Sequence, residues 1–267
     1  SEKKDLKSLY DNNFYDQMTK MSIQSAEIYV NYLTKHIQPL SVIDLGCGRG
    51  AWLKAFKGCG ISNLKGIDGD WINPEDLLDE SIVFEPLNLN QLKLPKERYD
   101  LAMSLEVAEH LEVEAADNFV NFLTSASDLV LFGSAYKNQG GTNHINEQKH
   151  SYWANKFTSN GFLPFDVFRE QFWDNDKVGF WYRQNIFLYI KKDSDIFKEF
   201  VKKGFSPITN IYFMDCVHPE LYDAKCGEGI SFSIHLKDIL PSLIRAISRR
   251  MIGEKKKWGK GFCKKSV

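Results

Sequence analysis

A short apolar run that ends in three alternating glycines restricts the possible folds more than any other feature. The run "SVIDLGCGRG" occupies residues 41–50, and it is followed by the helical pattern "AWLKAFKGCG". Glycines between a strand and a helix let a ligand approach the backbone N–H groups and the helix N-terminus. The spacing of Gly46, Gly48 and Gly50 therefore predicts a strand, a ligand-binding loop and a helix.

The alternation of short apolar runs and amphipathic segments continues along the chain. A further helix is predicted at "VEAADNFVNFLTSAS", and strands are predicted at "LKGIDGD" (64–70), "SIVFEPLNL" (81–89), "YDLAMSL" (99–105) and "DLVLFGSA" (128–135). Such alternation is typical of a parallel sheet covered by helices on both faces. The predicted fold class is α/β, a doubly wound and mostly parallel seven-stranded sheet.

The flanking segments complete this prediction. Residues 10–37 predict a helix with Ser22 or Ser25 as a cap. The segments "FDVFREQFW" and "WYRQNIFLYIKK" (181–192) predict two more strands, joined by a turn and forming an antiparallel edge. We expect a helical cap over residues 1–40, a catalytic domain over 41–192, a C-terminal extension over 193–252 and a mobile basic tail over 253–267.

The composition indicates a globular protein of a reducing compartment. Hydrophobic residues make up 43% of the chain and charged residues 26%, which is ordinary for a chain with a buried core. The five cysteines are odd in number and include no CxxC pair, so neither a disulfide framework nor a zinc ribbon is expected. With no apolar run near 18 residues and a polar "SEKKDLKSLY" start, the expected location is the cytoplasm.

The C-terminal segment has a strong positive charge. Residues 235–267 contain ten Lys or Arg residues against Asp238 and Glu254. Apolar residues recur at helical spacing in "LKDILPSLIRAISRRM", which predicts a helix packed on the domain. The alternative is that this basic segment contacts a polyanion or the inner face of a membrane, with the protein bound peripherally.

An acidic residue after the second predicted strand indicates the kind of ligand. Asp68 follows Gly50 by 18 residues and ends that strand. A carboxylate at this position can accept hydrogen bonds from both hydroxyls of a ribose. The glycine loop and Asp68 together predict a cofactor that contains a nucleoside.

The motifs "VIDLGCGRG", "GIDGD", "LNL" and "YDLAMSLEVAEHL" follow one another as in class I S-adenosylmethionine-dependent methyltransferases, and residues 40–190 resemble that family. The GxGxG spacing differs from the GxGxxG of NAD-binding proteins. The resemblance implies the Rossmann-like methyltransferase fold and S-adenosylmethionine as the cofactor. It implies cofactor contacts from Gly46, Gly48, Gly50, Asp68, Asn88, Leu89 and Ser104, with Asn88 replacing the commoner Asp.

The segment "SLEVAEHL" suggests a cation site. Glu106, Glu109 and His110 have the i, i+3, i+4 spacing that turns side chains toward one helix face, and two close carboxylates repel unless a cation or proton lies between them. E-x-x-E-H also resembles the metal-dependent O-methyltransferases of the ubiquinone pathway and the terminal 2′-O-methyltransferases of small RNAs. That resemblance implies a bound Mg²⁺ or Mn²⁺, less readily Zn²⁺, with His110 and His144 in catalysis and His144, or else Glu147, as the fourth ligand.

Without a metal, His110 would act as a general base or only pack. The segments "WYRQNIFLYI" and "GGTNHINEQKHSYWANKF" resemble a bacterial subgroup associated with surface-polysaccharide synthesis, which implies a sugar or nucleotide-linked sugar as the acceptor. The alternatives are 2′-O-methylation of RNA, another small-molecule O- or N-methyltransferase, and an inactive cofactor-binding relative. Nucleic acid is disfavoured because the predicted domain is acidic on balance.

Aromatic residues either stack on the acceptor or belong to the core: Trp153, Phe172, Trp173, Trp181 and Tyr182.

Overall fold

The computed structural model describes residues 12–226 of the chain, with burial and side-chain contacts from residue 20 onward. The helix predicted over residues 236–251 and the basic tail lie outside the described residues. The chain divides into two compact units between His218 and Pro219. Within residues 12–226, none of the helices has the length and apolar character needed to cross a membrane.

Seven strands in the described part of the chain form one sheet, which confirms the predicted fold class. Their order is β3-β2-β1-β4-β5-β7-β6, with β1 to β5 parallel and β7 antiparallel to both β5 and β6. The strands are β1 (Ser41–Leu45), β2 (Asn63–Asp68), β3 (Val83–Pro86), β4 (Leu101–Leu105), β5 (Leu129–Gly133), β6 (Phe162–Phe165) and β7 (Phe187–Lys191).

Helices cover both faces of the sheet, and apolar cores fill the space on each side. In the first unit they are α1 (Asn12–Leu33), α2 (Ala51–Gly58), α3 (Ala116–Ala126), α4 (His150–Ser159), α5 (Arg169–Phe172), α6 (Phe180–Asn185) and α7 (Asp195–Lys202). The second unit, taken by itself, contains α8 (Pro219–Cys226). The strand order reverses between β1 and β4, and open α/β sheets bind their ligands at such a point, beyond the carboxyl ends of the strands.

The antiparallel edge exists, but the segments predicted to form it were wrong. "FDVFREQFW" supplies only the last residue of β6 and then forms α5. "WYRQNIFLYIKK" begins as α6, and only its second half is β7. The apolar run of this segment looks like one strand, yet Gln184 and Asn185 are buried polar residues whose contacts hold a short helix in place.

Helix α1 spans Asn12–Leu33, within the predicted residues 10–37, so Ser22 and Ser25 are internal residues and the cap prediction was wrong. Both hydroxyls contact the α6 region instead. Ser22 Oγ lies 2.6 Å from Tyr182 Oη, and Ser25 Oγ accepts a hydrogen bond from the Gly179 amide at 3.2 Å. Tyr29 Oη donates to the Tyr182 carbonyl at 2.8 Å. Helix α1 is therefore part of the domain core.

Candidate functional site

The glycine loop after β1 requires glycine for its backbone conformation. Gly46, Gly48 and Gly50 have φ angles of 79°, 52° and 80°, which side chains strongly disfavour. A Cβ on Gly46 would lie 2.2 Å from Val107 Cγ2, whereas a Cβ on Gly48 would meet nothing within 4 Å. The loop thus lies directly against the segment after β4 and leaves open space beside Gly48.

Asp68 connects the end of β2 to the glycine loop. Its Oδ2 accepts a hydrogen bond from the Gly48 amide at 2.7 Å, and its Oδ1 accepts one from the Gly69 amide at 2.7 Å. Burial raises the pKa of Asp68. Burial, and then the neighbouring Asp68, raise the pKa of Asp44 in β1 well above its usual value. The carboxyl ends of β1 and β2 therefore hold two carboxyl groups whose ionised forms burial disfavours.

The remaining residues that the sequence predicted as cofactor contacts occupy different environments. Asn88 is exposed, and its Oδ1 accepts from the Asn90 amide at 3.0 Å. The Leu87 amide donates to the Asp68 carbonyl at 2.8 Å, which places this segment beside Asp68. Leu89 is buried in the core. Ser104 is also buried, and its hydroxyl donates to the Leu45 carbonyl at 2.8 Å inside the sheet.

The segment "SLEVAEHL" does not begin an α-helix. Glu106 has a φ of 56°, in the left-handed region, and Ala108–His110 form a single 3₁₀ turn. The three predicted ligands consequently differ in burial: Glu106 is half-buried, Glu109 is fully buried and His110 is exposed. The expectation that one helix face presents all three side chains was wrong, because Glu106 has a left-handed backbone conformation and only a 3₁₀ turn follows it.

Glu109 is a buried carboxyl group with one unsatisfied oxygen. Its Oε2 accepts from the Ser134 hydroxyl at 3.0 Å, while Oε1 has no hydrogen-bond partner among the residues that the structure describes. Burial, and then the charge of Glu106, raise the pKa of Glu109 well above its usual value. A buried oxygen of this kind is normally compensated by a proton or a bound cation.

His110 and His144 face each other across the site, with ring centroids 4.8 Å apart. Nδ1 of His110 lies 3.3 Å from the Asn143 carbonyl, and Nδ1 of His144 lies 2.7 Å from Glu147 Oε1. Both partners can only accept, so we assign the ring protons to Nδ1, which leaves each Nε2 as a ligand atom. Although the His110 side chain is exposed overall, partial desolvation of its ring, followed by the charge of His144, lowers the pKa of His110 and favours the neutral ring that metals bind.

The loop that carries His144 is attached to the segment that carries Glu109. The amides of Ile145 and Asn146 both donate to the Glu109 carbonyl at 2.9 Å. A Cβ on Gly141 would lie 2.3 Å from Nε2 and Cε1 of His144, so the ring packs directly on this glycine. These contacts bring together residues that the sequence placed in separate motifs.

Three of these residues meet the geometric requirement for a cation site. One ligand atom from each of Glu109, His110 and His144 lies within 4.8 Å of the other two. Glu106 is not part of this group. His150 is buried, and its Nδ1 lies 2.8 Å from the Met214 carbonyl. Burial lowers the pKa of His150 to about 4.

A cluster of carboxamides, which the sequence analysis missed, surrounds Glu106. Asn185 Nδ2 donates to Glu106 Oε1 at 3.0 Å, and Gln139 Nε2 donates to Glu106 Oε2 at 3.3 Å. Asn185 also donates to Gln139 Oε1 at 3.0 Å, and Gln184 Nε2 contacts Asn185 Oδ1 at 2.9 Å. The sequence signal that could have revealed this cluster is the adjacent pair Gln184 and Asn185 within an apolar run. We name Gln139, Gln184 and Asn185 the amide cluster.

The charge of Glu106 is poorly stabilised despite these donors. Burial raises the pKa of Glu106 to about 7, while the hydrogen bonds from Asn185 and Gln139 act in the opposite direction. Desolvation thus outweighs the amide donors. The carboxyl group therefore changes its charge near neutral pH.

The predicted aromatic residues are mostly parts of the core. Trp153, Phe172 and Tyr182 are buried, and Trp173 and Trp181 are half-buried. Trp52, just after the glycine loop, packs edge-on against Tyr182 with centroids 5.3 Å apart. These contacts connect the loop to α6.

Comparisons with known proteins agree with this architecture. The model of a methyltransferase domain family matches residues 22–130. Magnesium protoporphyrin IX methyltransferase from Synechocystis PCC 6803 is 18% identical with a TM-score of 0.51, and the match covers 67% of this chain and 88% of that chain. An O-methyltransferase family protein from Burkholderia thailandensis is 12% identical with a TM-score of 0.51, covering 70% and 61% respectively. No curated protein matches the chain.

Sequence identities this low show a common fold. The family model matches residues 22–130, which include the glycine loop, Asp68 and the segment from Glu106 to His110. His144 and the amide cluster lie beyond this range. Residues 22–130 are thus similar to a methyltransferase domain family, and the described residues have the Rossmann-like fold of solved methyltransferases.

Proposed function

We propose that this chain is an S-adenosylmethionine-dependent O-methyltransferase that modifies a hydroxyl of a sugar or nucleotide-linked sugar beside a divalent metal. The observation that carries the proposal is the group of Glu109, His110 and His144, whose ligand atoms lie within 4.8 Å of one another. Val107 lies between Glu106 and this group, and it contacts the glycine loop at Gly46. A metal-binding group next to a nucleoside-binding loop suits methyl transfer to oxygen.

The glycine loop and the buried carboxyl groups support the cofactor. When bound, S-adenosylmethionine supplies a methyl group on a positively charged sulfur. Gly48 offers open space, and Asp68 lies where a carboxylate can bind ribose hydroxyls. The raised pKa values of Asp44 and Glu106 indicate carboxyl groups that a positively charged ligand would stabilise in their ionised form.

The donor set fits a divalent cation. Glu109 Oε1 is buried without a hydrogen-bond partner among the described residues, and the Nδ1 atoms of His110 and His144 are held by the Asn143 carbonyl and Glu147. One oxygen and two imidazole nitrogens suit Mn²⁺ or Zn²⁺ at least as well as Mg²⁺. A bound metal lowers the pKa of a coordinated hydroxyl, which is otherwise a poor nucleophile at neutral pH.

We assign the remaining predicted ligands to supporting roles. Both oxygens of Glu106 accept hydrogen bonds from the amide cluster, so this carboxyl group adds negative charge near the metal without being one of the three grouped ligands. Glu147 accepts from His144 Nδ1 and from the Gly140 amide, and thereby orients the His144 ring.

The loop beside the metal group supports a hydroxyl-rich acceptor. Its exposed residues include Asn138, Thr142 and Asn143, whose side chains donate and accept hydrogen bonds without net charge. Such a rim suits a sugar better than a strongly anionic polymer. Polysaccharide synthesis is therefore the proposed setting, and we propose that the basic segment beyond residue 234 docks the enzyme on an anionic surface.

Calorimetry with S-adenosylhomocysteine tests the cofactor assignment. We expect Asp68→Asn to weaken binding by roughly tenfold or more, since a hydrogen bond to a charged group contributes about 1.5–3 kcal/mol. Asp70→Asn, two residues further on and exposed, is the matched control and should bind as the wild type does. Equal affinities in all three proteins would contradict the assignment.

Mass spectrometry of acceptors tests the reaction. Nucleotide sugars and soluble glycans are incubated with labelled cofactor, before and after removal of metal with EDTA. A mass gain of one methyl group that disappears with EDTA and returns with Mn²⁺ or Mg²⁺ supports the proposal. Full activity after EDTA dialysis would exclude the metal, and methylation of RNA alone would exclude the sugar.

A further inference from the structure

His150 is a buried histidine that takes no part in the metal group. It is the first residue of α4, and only 2% of its surface is accessible. Its Nδ1 lies 2.8 Å from the Met214 carbonyl, and its Nε2 lies 3.1 Å from Asn185 Oδ1. Because Asn185 in turn donates to Glu106, a single carboxamide separates the imidazole ring from the site. The position of the ring proton therefore affects how Glu106 is held.

Two backbone amides fix the orientation of the amide cluster. The Tyr136 amide donates to Gln139 Oε1 at 3.1 Å, and the His218 amide donates to Gln184 Oε1 at 2.6 Å. A backbone N–H group can only donate, so these contacts identify the carbonyl oxygen of both Gln side chains. Asn185 consequently presents its NH2 group to Gln139 Oε1 and its own oxygen to Gln184 Nε2. The reversed carboxamide would place oxygen against oxygen and nitrogen against nitrogen.

The two partners of His150 compete for one proton. Asn185 Oδ1 and the Met214 carbonyl can only accept, whereas a neutral imidazole has a single N–H group. Burial lowers the pKa of His150 to about 4, so the ring is neutral at pH 7. One ring nitrogen must therefore face an oxygen with no proton between them.

The surroundings of the ring favour the proton on Nε2. The Met214 carbonyl already accepts from Arg169 Nη1 at 2.9 Å and from the Cys216 amide at 2.8 Å, so it is satisfied without a third donor. Arg169 and His150 Nδ1 share this carbonyl, and a positive charge on that side of the ring disfavours a proton on Nδ1. The charge of Arg169 acts on the ring more strongly than the opposite charge of Asp215.

We propose that His150 is a positioning residue of the methyl-transfer site, an inference that rests on the proposed function. Its Nε2–H group donates to Asn185 Oδ1 and thereby keeps the NH2 group of this carboxamide on Glu106 Oε1. The Glu106 carboxyl group is thus held in one orientation after β4, next to Val107, which contacts the glycine loop. A negative group fixed there favours S-adenosylmethionine over S-adenosylhomocysteine, whose sulfur is neutral.

Two substitutions distinguish the two ring nitrogens. The side chain of His150→Gln can place an NH2 group near the position of Nε2, whereas the shorter side chain of His150→Asn can place one only near Nδ1. The first variant replaces the donor to Asn185, and the second replaces only the contact with Met214. If His150 served merely to anchor α4 to Met214, His150→Asn would be the better substitute of the two.

Calorimetry with S-adenosylmethionine and S-adenosylhomocysteine, in EDTA so that no metal competes for the carboxyl groups, measures the preference for the charged ligand. We expect His150→Gln to retain most of this preference and His150→Asn to reduce it by roughly tenfold, with the affinity for S-adenosylhomocysteine unchanged in both. His36→Asn is the control, because His36 is a half-buried histidine between α1 and β1, and the preference should not change.

The proton is observed directly by NMR of protein labelled with ¹⁵N at histidine. The spectrum shows which nitrogen of each of the six histidines carries the proton, and the signals that disappear in His150→Gln belong to His150. We expect the proton of His150 on Nε2 at pH 7.

The outcomes separate the inference from the proposed function. A proton on Nδ1, or equal preferences in His150→Gln and His150→Asn, would overturn the inference while the proposed function stands. Weaker binding of both ligands by one common factor in His150→Asn would indicate a general loss of structure and would also overturn it. If the wild type binds neither ligand, the proposed function is overturned, and the inference fails with it.

Discussion

Asn185 donates a hydrogen bond across 3.0 Å to Oε1 of Glu106, a residue 79 positions earlier in the chain. The same Nδ2 group donates to Gln139, so one carboxamide connects α6, the end of β4 and the loop that carries His144. This buried side chain is thus one of several contacts that hold the three segments together.

Asn185→Leu should lower the stability of the protein. The substitution keeps the approximate volume but removes the donors to Glu106 and Gln139, and unsatisfied buried polar groups cost about 1–3 kcal/mol. Urea unfolding measures this loss as a lower midpoint with an unchanged slope. Asn155→Leu, on the exposed face of α4, is the control and should change stability by less than about 0.5 kcal/mol. Equal stability of the two variants would mean that the amide cluster contributes little.

Glu106→Gln should change how stability depends on pH. Burial raises the pKa of Glu106 to about 7 in the folded protein, above the ordinary value of 4.5. The folded state therefore binds more protons than the unfolded state between these values, and its stability falls as pH rises through that window. The variant lacks this proton, so its stability relative to the wild type should increase from pH 4.5 to 7 and then level off.

Urea titrations at pH 5, 6, 7 and 8, with EDTA present, provide the measurement. Because the charge of Glu106 also raises the pKa of Glu109, the difference between the variant and the wild type reports these two acids together, while the contributions of the other acids cancel. Glu114→Gln, an exposed residue, is the control and should give a curve parallel to the wild type. A parallel curve for Glu106→Gln itself would show that Glu106 stays charged across the window.

Gly141→Ala should reduce metal binding with little loss of stability. The new Cβ would lie 2.3 Å from Nε2 and Cε1 of His144, so the ring must move away from His110. Gly141 is exposed and its φ is not left-handed, so the backbone tolerates alanine. Calorimetry with Mn²⁺ should show at least tenfold weaker binding. In the control, Gly58→Ala at the end of α2, the Cβ meets nothing within 4 Å and binding should be unchanged.

Glu147→Gln should weaken the metal site from a distance. Glu147 accepts from His144 Nδ1 at 2.7 Å, and replacing such a carboxylate typically costs 10- to 100-fold in metal affinity. We expect a loss of Mn²⁺ affinity of about tenfold, near the lower end of this range, because the amide oxygen of Gln still accepts a hydrogen bond from His144 Nδ1. The affinity for S-adenosylhomocysteine should not change, which separates this effect from a general disturbance. An unchanged Mn²⁺ affinity would place His144 outside the metal shell.

The sequence predicted the elements whose signals are local. Gly46, Gly48 and Gly50 lie in a left-handed loop between a strand and a helix, as their spacing predicted. His144 was chosen from a distant motif as a partner of His110, and the structure brings the two rings to 4.8 Å. An antiparallel edge was expected and is present, although the predicted strand boundaries were wrong.

The features of the site that the sequence did not predict depend on contacts between distant segments. Asn185 lies in an apolar run that a single-sequence pattern assigns to a strand, and only its partners at Glu106 and Gln139 explain a buried polar residue there. The left-handed backbone at Glu106 could not be foreseen, since Glu has no preference for that conformation. This left-handed conformation, and not the i, i+3, i+4 spacing, decides which side chains lie in the proposed cation site.

The contacts of α1 with α6 determine when this domain can be completed. Tyr29 donates to the carbonyl of Tyr182, 153 residues later, and Ser22 meets the Tyr182 hydroxyl. A chain emerging from the ribosome makes its first helix early but cannot dock it until residue 182 has left the exit tunnel. Until then, the apolar face of α1 that includes Tyr29 stays exposed in the incomplete chain. A chaperone that binds this face would therefore shield the apolar surface of α1 until α6 is available.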